Sequence, residues 1–265
     1  MLISYKASNI HFYKFGDGNK ILLCLHGYGL DGRSFDIIKE ILSEEYTIIA
    51  FDFPYHGLTQ WNSASTFLPI DIIEIVKKII PINYSQKISI LAYSMGGRVA
   101  LQLLEDFPEL IEQLVLLAPD GLHKNKWQWI ATQTQTGNHL FKFTMKHPQW
   151  LFVLIQMINK FGLLNKSIVK FVHHYIDDEK ERMLLYDRWT IMNKFKPNLK
   201  KLQTIIATNK IPVKMLFGKL DRIIVAKRGY AFQKNIPFIM VEEIHAGHQL
   251  LQPKHTAQIK ALFNK

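Results

Sequence analysis

Ile88-Ser89-Ile90-Leu91-Ala92-Tyr93-Ser94-Met95-Gly96-Gly97-Arg98-Val99-Ala100 is an apolar run that breaks at a serine and restarts with helical composition. Its first half reads as a buried strand and its second as a helix, so Ser94 falls on the turn between them. Ala92 and Gly96, two residues to either side, are small enough for the incoming strand and outgoing helix to pass closely. The serine hydroxyl then stands at a helix N-terminus, where backbone N–H groups and the positive end of the helix dipole suit an oxyanion. Ser94 is therefore the candidate nucleophile.

A serine nucleophile needs a base, and the base needs an acid to orient it. Downstream, the strand-like Ile211–Phe217 ends in Gly218-Lys219-Leu220-Asp221, which places a carboxylate just past a strand. The next apolar run, Pro237–Val241, is followed by His245-Ala246-Gly247-His248. His248 is the candidate base and Asp221 the candidate acid. Asp120, after the apolar run 114–118, is an alternative acid, although Asp120-Gly121 also reads as a plain turn. His245 and His248 are three residues apart, but no H-E-x-x-H helix surrounds them, so no metal site is expected.

Two upstream segments extend the pattern. Ile21-Leu22-Leu23-Cys24-Leu25-His26-Gly27-Tyr28-Gly29 is a buried-type strand ending in a His-Gly turn, and Ile48–Phe51 leads into Asp52-Phe53-Pro54-Tyr55-His56-Gly57-Leu58-Thr59. These ordered motifs resemble those of the serine α/β-hydrolase superfamily, from about the first strands to His248, leaving only the middle of the chain unmatched. The chain departs from the usual G-x-S-x-G at Ala92, and from D-x-P-G-H-G-x-S at Tyr55. The resemblance implies a Ser94, Asp221, His248 triad in that chain order. It also implies an oxyanion hole from the backbone amides of Met95 and Tyr28, scaffold roles for Asp52, His56 and Gly57, and no cofactor.

A narrower resemblance runs through Tyr93-Ser94-Met95-Gly96-Gly97-Arg98, which is similar to the menaquinone-pathway synthase that makes succinyl-hydroxycyclohexadiene carboxylate. It implies a lyase alternative in which Arg98 binds a substrate carboxylate. Those enzymes use further arginines, whereas only Arg182 and Arg188 occur between residues 121 and 210.

The chain has 265 residues, 48% hydrophobic and 21% charged, which is enough for one sizeable core. Strand-like runs near 21–26, 46–52, 87–92, 114–118, 212–217 and 237–241 alternate with helical segments near 34–43, 69–80, 95–106, 224–234 and 253–263. Two short strands are expected over 2–15. The pattern predicts an α/β fold with a mainly parallel sheet flanked by helices. Cys24 is the only cysteine and lies in an apolar strand, so it reads as a packed thiol. The N-terminal residues lack an export signal, which predicts a cytoplasmic protein. The net charge of +11 comes from 33 Lys and Arg less 22 Asp and Glu; it is scattered, and no nucleic-acid-binding module accompanies it.

Strand patterning stops between Pro119 and Lys210. The expected division is therefore a core of 1–120 with 211–265 and a helical cap inserted over 121–210. Aromatic residues, among them Trp127, Trp129, Trp150, Phe161, Phe171 and Trp189, are spread through the insertion and read mainly as packing. Its most apolar stretch, Trp150–Ile158, is too short to span a bilayer. It reads as a cap helix over the cleft; with Lys142, Lys146, Lys160, Lys166 and Lys170 nearby, peripheral lipid contact is the alternative. The expected function is hydrolysis of a small-molecule carboxylic ester with a small or medium apolar acyl group. The alternatives are a lyase or carbon–carbon hydrolase using the same triad, and a non-catalytic ligand-binding scaffold.

Overall fold

The computed structural model describes residues 1–62, 64–80, 86–160 and 176–264. Phe161, Lys166, Lys170 and Phe171 lie outside the described residues. Eight strands form one sheet in the order β1-β2-β4-β3-β5-β6-β7-β8. β1 (Leu2–Tyr5) and β2 (Ser8–Phe15) run antiparallel at one edge, with β2 also antiparallel to β4. β3 (Lys20–Leu25), β4 (Tyr46–Phe51), β5 (Ile88–Tyr93), β6 (Ile111–Leu117), β7 (Val213–Gly218) and β8 (Ile239–Ile244) are parallel.

The continuous apolar runs of the sequence are what a sheet covered on both faces requires. All six residues of β5 are buried, as are all six of β7. Cys24 is packed among Leu22, Leu91 and Val115 in this core, and burial pushes its thiol well above the ordinary range. The strand order reverses between β3 and β5: the chain leaves β3 for β4 on one side and returns to β5 on the other. A crevice at the carboxyl ends of such a strand pair is where ligands bind in open α/β sheets.

The connecting helices are α1 (Lys39–Leu42), α2 (Pro69–Ile79) and α3 (Met95–Asp106), then α4 (Lys126–Gln133), α5 (Gln135–Lys146), α6 (Gln149–Lys160), α7 (Glu179–Ile191), α8 (Leu199–Asn209), α9 (Lys227–Gln233) and α10 (Thr256–Phe263). The helix expected over 34–43 is mostly the 3-10 helix Gly32–Ile38, with α1 as its last turn. Among the described residues, no helix is long and apolar enough to cross a membrane.

Two compact units result, Met1–His123 with Lys194–Lys265 and Lys124–Asn193. Residues 194–210, expected in the insertion, belong to the first unit. Side chains of α3 hold this segment: Gln102 accepts from the Lys196 N–H at 2.9 Å and Glu105 from the Asn198 N–H at 2.6 Å. In the second unit, Asn125 and Thr134 cap α4 and α5. Phe141 of α5 packs its ring 5.3 Å from Tyr186 and 5.6 Å from Trp189 of α7.

Candidate active site

Ser94 has φ +50° and ψ −115°, a strained conformation for a residue with a side chain, and it directly precedes α3. Close packing enforces it. A Cβ on Gly96 would overlap the carbonyl oxygen of Leu25 at the end of β3, and one on Gly97 would overlap Pro119. Main-chain bonds complete the clamp: the Ser94 N–H donates to Leu117 at 3.0 Å, and the Ser94 carbonyl accepts from Gly97 at 2.9 Å and Asp120 at 2.8 Å. The Ser94 turn is thus gripped by β3 on one side and the exit of β6 on the other.

Ser94 Oγ lies 3.0 Å from His248 Nε2, and His248 Nδ1 lies 2.7 Å from Asp221 Oδ2. The carboxylate facing Nδ1 keeps the proton on that nitrogen and leaves the Nε2 lone pair toward Ser94. Asp221 is fully buried and is itself positioned, because its Oδ1 accepts from the Ile223 and Ile224 N–H groups at 2.7 and 3.0 Å. The loops that carry Asp221 and His248 are joined directly: Lys219 donates to Ile244 and Leu220 to Ala246, each at 2.9 Å. Three side chains distant in sequence therefore meet at the carboxyl ends of β5, β7 and β8.

Met95 opens α3, so its N–H has no carbonyl one turn back to bond. Tyr28 occupies the second position of the turn in which the Leu30 N–H donates to Gly27 at 3.2 Å; Gly29 takes the positive φ, +73°, at the third. That turn runs beside Ser94, since a Cβ on Gly27 would come within 2.9 Å of the Tyr93 ring and 3.3 Å of Ser94 Cβ. His26 secures it from beneath. Its Nε2 accepts from the Phe53 N–H at 3.0 Å, which leaves Nδ1 to donate to the Gly27 carbonyl at 2.8 Å. Asp52 is fully buried and accepts from Gly32 and Leu58 N–H groups, both at 2.8 Å, while contacting His11 Nδ1 at 3.1 Å.

The Arg98 guanidinium pairs with Asp120, whose other carboxylate oxygen accepts from the Gly121 N–H at 2.7 Å. Asp120 is thus committed to Arg98, while His248 faces Asp221. His245 is exposed. Among the described residues no three His, Cys, Asp or Glu side chains are grouped to hold a metal ion.

The α/β hydrolase fold family model matches residues 20–252. The chain belongs to the α/β-hydrolase family. This hydrolase is 26% identical over 256 residues to a pimeloyl-[acyl-carrier protein] methyl ester esterase of Nitrosomonas europaea, covering 91% of this chain and 93% of that one. It is 24% identical to the uncharacterized hydrolase YugF of Bacillus subtilis, covering 83% and 80%. Among solved structures, an α/β hydrolase from a Medee basin deep-sea metagenome library superposes with a TM-score of 0.69 at 17% identity, over all of this chain and 98% of that one. A thermophilic esterase from Thermogutta terrifontis gives 0.65 at 18%, over 100% and 96%.

One residue of the hydrolase's site escaped the sequence reading. Tyr93, just before Ser94, donates its hydroxyl to the His248 carbonyl at 3.2 Å, with its ring 5.4 Å from the imidazole. Burial, reinforced by the Asp221 charge, pushes the Tyr93 hydroxyl up to about 12. It therefore remains a donor at neutral pH. The available sequence signal was only its place beside Ser94.

Proposed function

We propose that the chain hydrolyses a carboxylic ester through an acyl-enzyme on Ser94. The observation that carries this is the continuous contact from Ser94 Oγ through His248 to buried Asp221, at 3.0 and 2.7 Å. His248 Nε2 takes the Ser94 proton as Oγ attacks the ester carbonyl, and the carbonyl π electrons move onto oxygen. The Met95 and Tyr28 amides receive that oxyanion. As the intermediate collapses, the carbon–alkoxide bond breaks and His248 returns its proton to the leaving alcohol. Water, deprotonated by the same nitrogen, then attacks the acyl-enzyme; collapse releases the acid and reprotonates Ser94. Asp221 keeps its own charge and stabilises the imidazolium formed in each half.

The relative named as a methyl ester esterase supports an ester over other acyl substrates. The Arg98–Asp120 pair favours an apolar acyl group over the lyase reading, in which Arg98 would bind a carboxylate.

A series of soluble p-nitrophenyl esters tests this reading. Each newly buried methylene is worth roughly 0.8 kcal/mol, so kcat/KM should rise about fourfold per carbon until the pocket is full, then fall. A flat series combined with strong preference for an anionic acyl group would overturn it in favour of the lyase-like alternative.

A further inference from the structure

The second unit exposes large apolar side chains in an ordered way. On α6, Trp150, Val153, Leu154 and Met157 are 41%, 56%, 42% and 59% exposed. At 3.6 residues per turn they form one stripe covering about 100° of the helix, while Ile155 faces away from it and is buried. Phe143 on α5 and Trp127 on α4 are also exposed. Isolated exposed apolar residues are ordinary; a stripe along a helix marks a surface that meets another apolar phase.

The charge pattern identifies that phase. Residues 121–160 contain five lysines and no Arg, Asp or Glu. Lys124, Lys126 and Lys146 are exposed, while Lys142 lies over the Tyr186 ring. The acidic residues of the unit begin at Asp177. A second copy would bring the same lysines against these ones, whereas an anionic bilayer offers both an apolar boundary and opposite charge. With twelve residues, α6 is too short to span a bilayer but suits lying in its interface.

We propose that the α6 face, with Lys124, Lys126 and Lys146, docks peripherally on anionic lipid. The test is flotation of the full chain with phosphatidylcholine vesicles, with and without phosphatidylglycerol. Thermal unfolding and molecular mass by light scattering are measured on the same samples.

The folded protein should float with anionic vesicles and weakly with neutral ones. Val153→Glu/Met157→Glu should weaken anionic binding about tenfold or more. Lys124→Gln/Lys126→Gln/Lys146→Gln should remove the preference for phosphatidylglycerol. If the double variant fails to fold, Met157→Glu alone should still weaken binding. Absence of wild-type flotation, or undiminished binding by the folded variants, would overturn the proposal. So would a wild-type dimer that fails to float and that Met157→Glu converts to monomer, which would assign the face to a second copy.

Discussion

The hydroxyl of Tyr93 holds the main-chain carbonyl of His248 at 3.2 Å, so the residue before Ser94 braces His248. One strand end therefore positions both Ser94 and His248. Tyr93→Phe keeps the ring contact and removes the brace. Its kcat should fall several-fold with KM little changed, which stopped-flow and steady-state kinetics can separate; an unchanged kcat would leave Tyr93 a packing residue.

Tyr93 also links stability to pH. Its folded-state hydroxyl titrates near 12, above the unfolded value near 10, so the folded form holds its proton longer. The resulting stabilisation is complete below pH 10 and is lost as pH rises toward 12. Denaturant titrations should show wild-type stability falling through that window, and Tyr93→Phe should lose less. Equal slopes would assign the fall to other groups.

The two candidate acids make opposite predictions. Asp221 faces His248 Nδ1, whereas Asp120 is paired with Arg98. Asp221→Asn should lower kcat about 10³–10⁴-fold through the wrong imidazole tautomer and loss of charge. Asp120→Asn should cost about tenfold or less, through a loosened β6 exit. A reversal of this order in ester turnover would move the acid to Asp120.

Gly96 is required by space, because any Cβ there overlaps the Leu25 carbonyl oxygen. Gly96→Ala should destabilise the fold by about 1–3 kcal/mol in urea denaturation and displace the Ser94 turn. Wild-type stability together with wild-type turnover would mean that β3 and α3 are not held this closely.

How far the site was legible depended on whether its parts announce themselves locally. Ser94, Asp221 and His248 each follow an apolar strand, and a parallel sheet collects strand ends on one side, so sequence order alone brought them together. The Arg98–Asp120 pair was missed because it joins the first turn of α3 to the far end of β6, and no local spacing encodes that contact. Residues 194–210 read with the insertion because their helical period matches it; the hydrogen bonds that the Gln102 and Glu105 side-chain oxygens accept from them are visible only in three dimensions. The segment 34–43 has helical composition, but Asp31 accepts from the Arg33 N–H and starts a 3-10 helix instead.

The Ser94–His248–Asp221 chain is tested most directly by labelling with a fluorophosphonate, followed by mass spectrometry of the modified peptide. Wild-type protein should carry one adduct, on Ser94. His248→Ala should label at least about a hundredfold more slowly, since general-base activation is typically worth 10²–10⁴-fold. Ser94→Ala should stay folded and unlabelled. An unmodified Ser94 in folded protein that turns over esters, or a Ser94 labelled equally fast without His248, would contradict the mechanism.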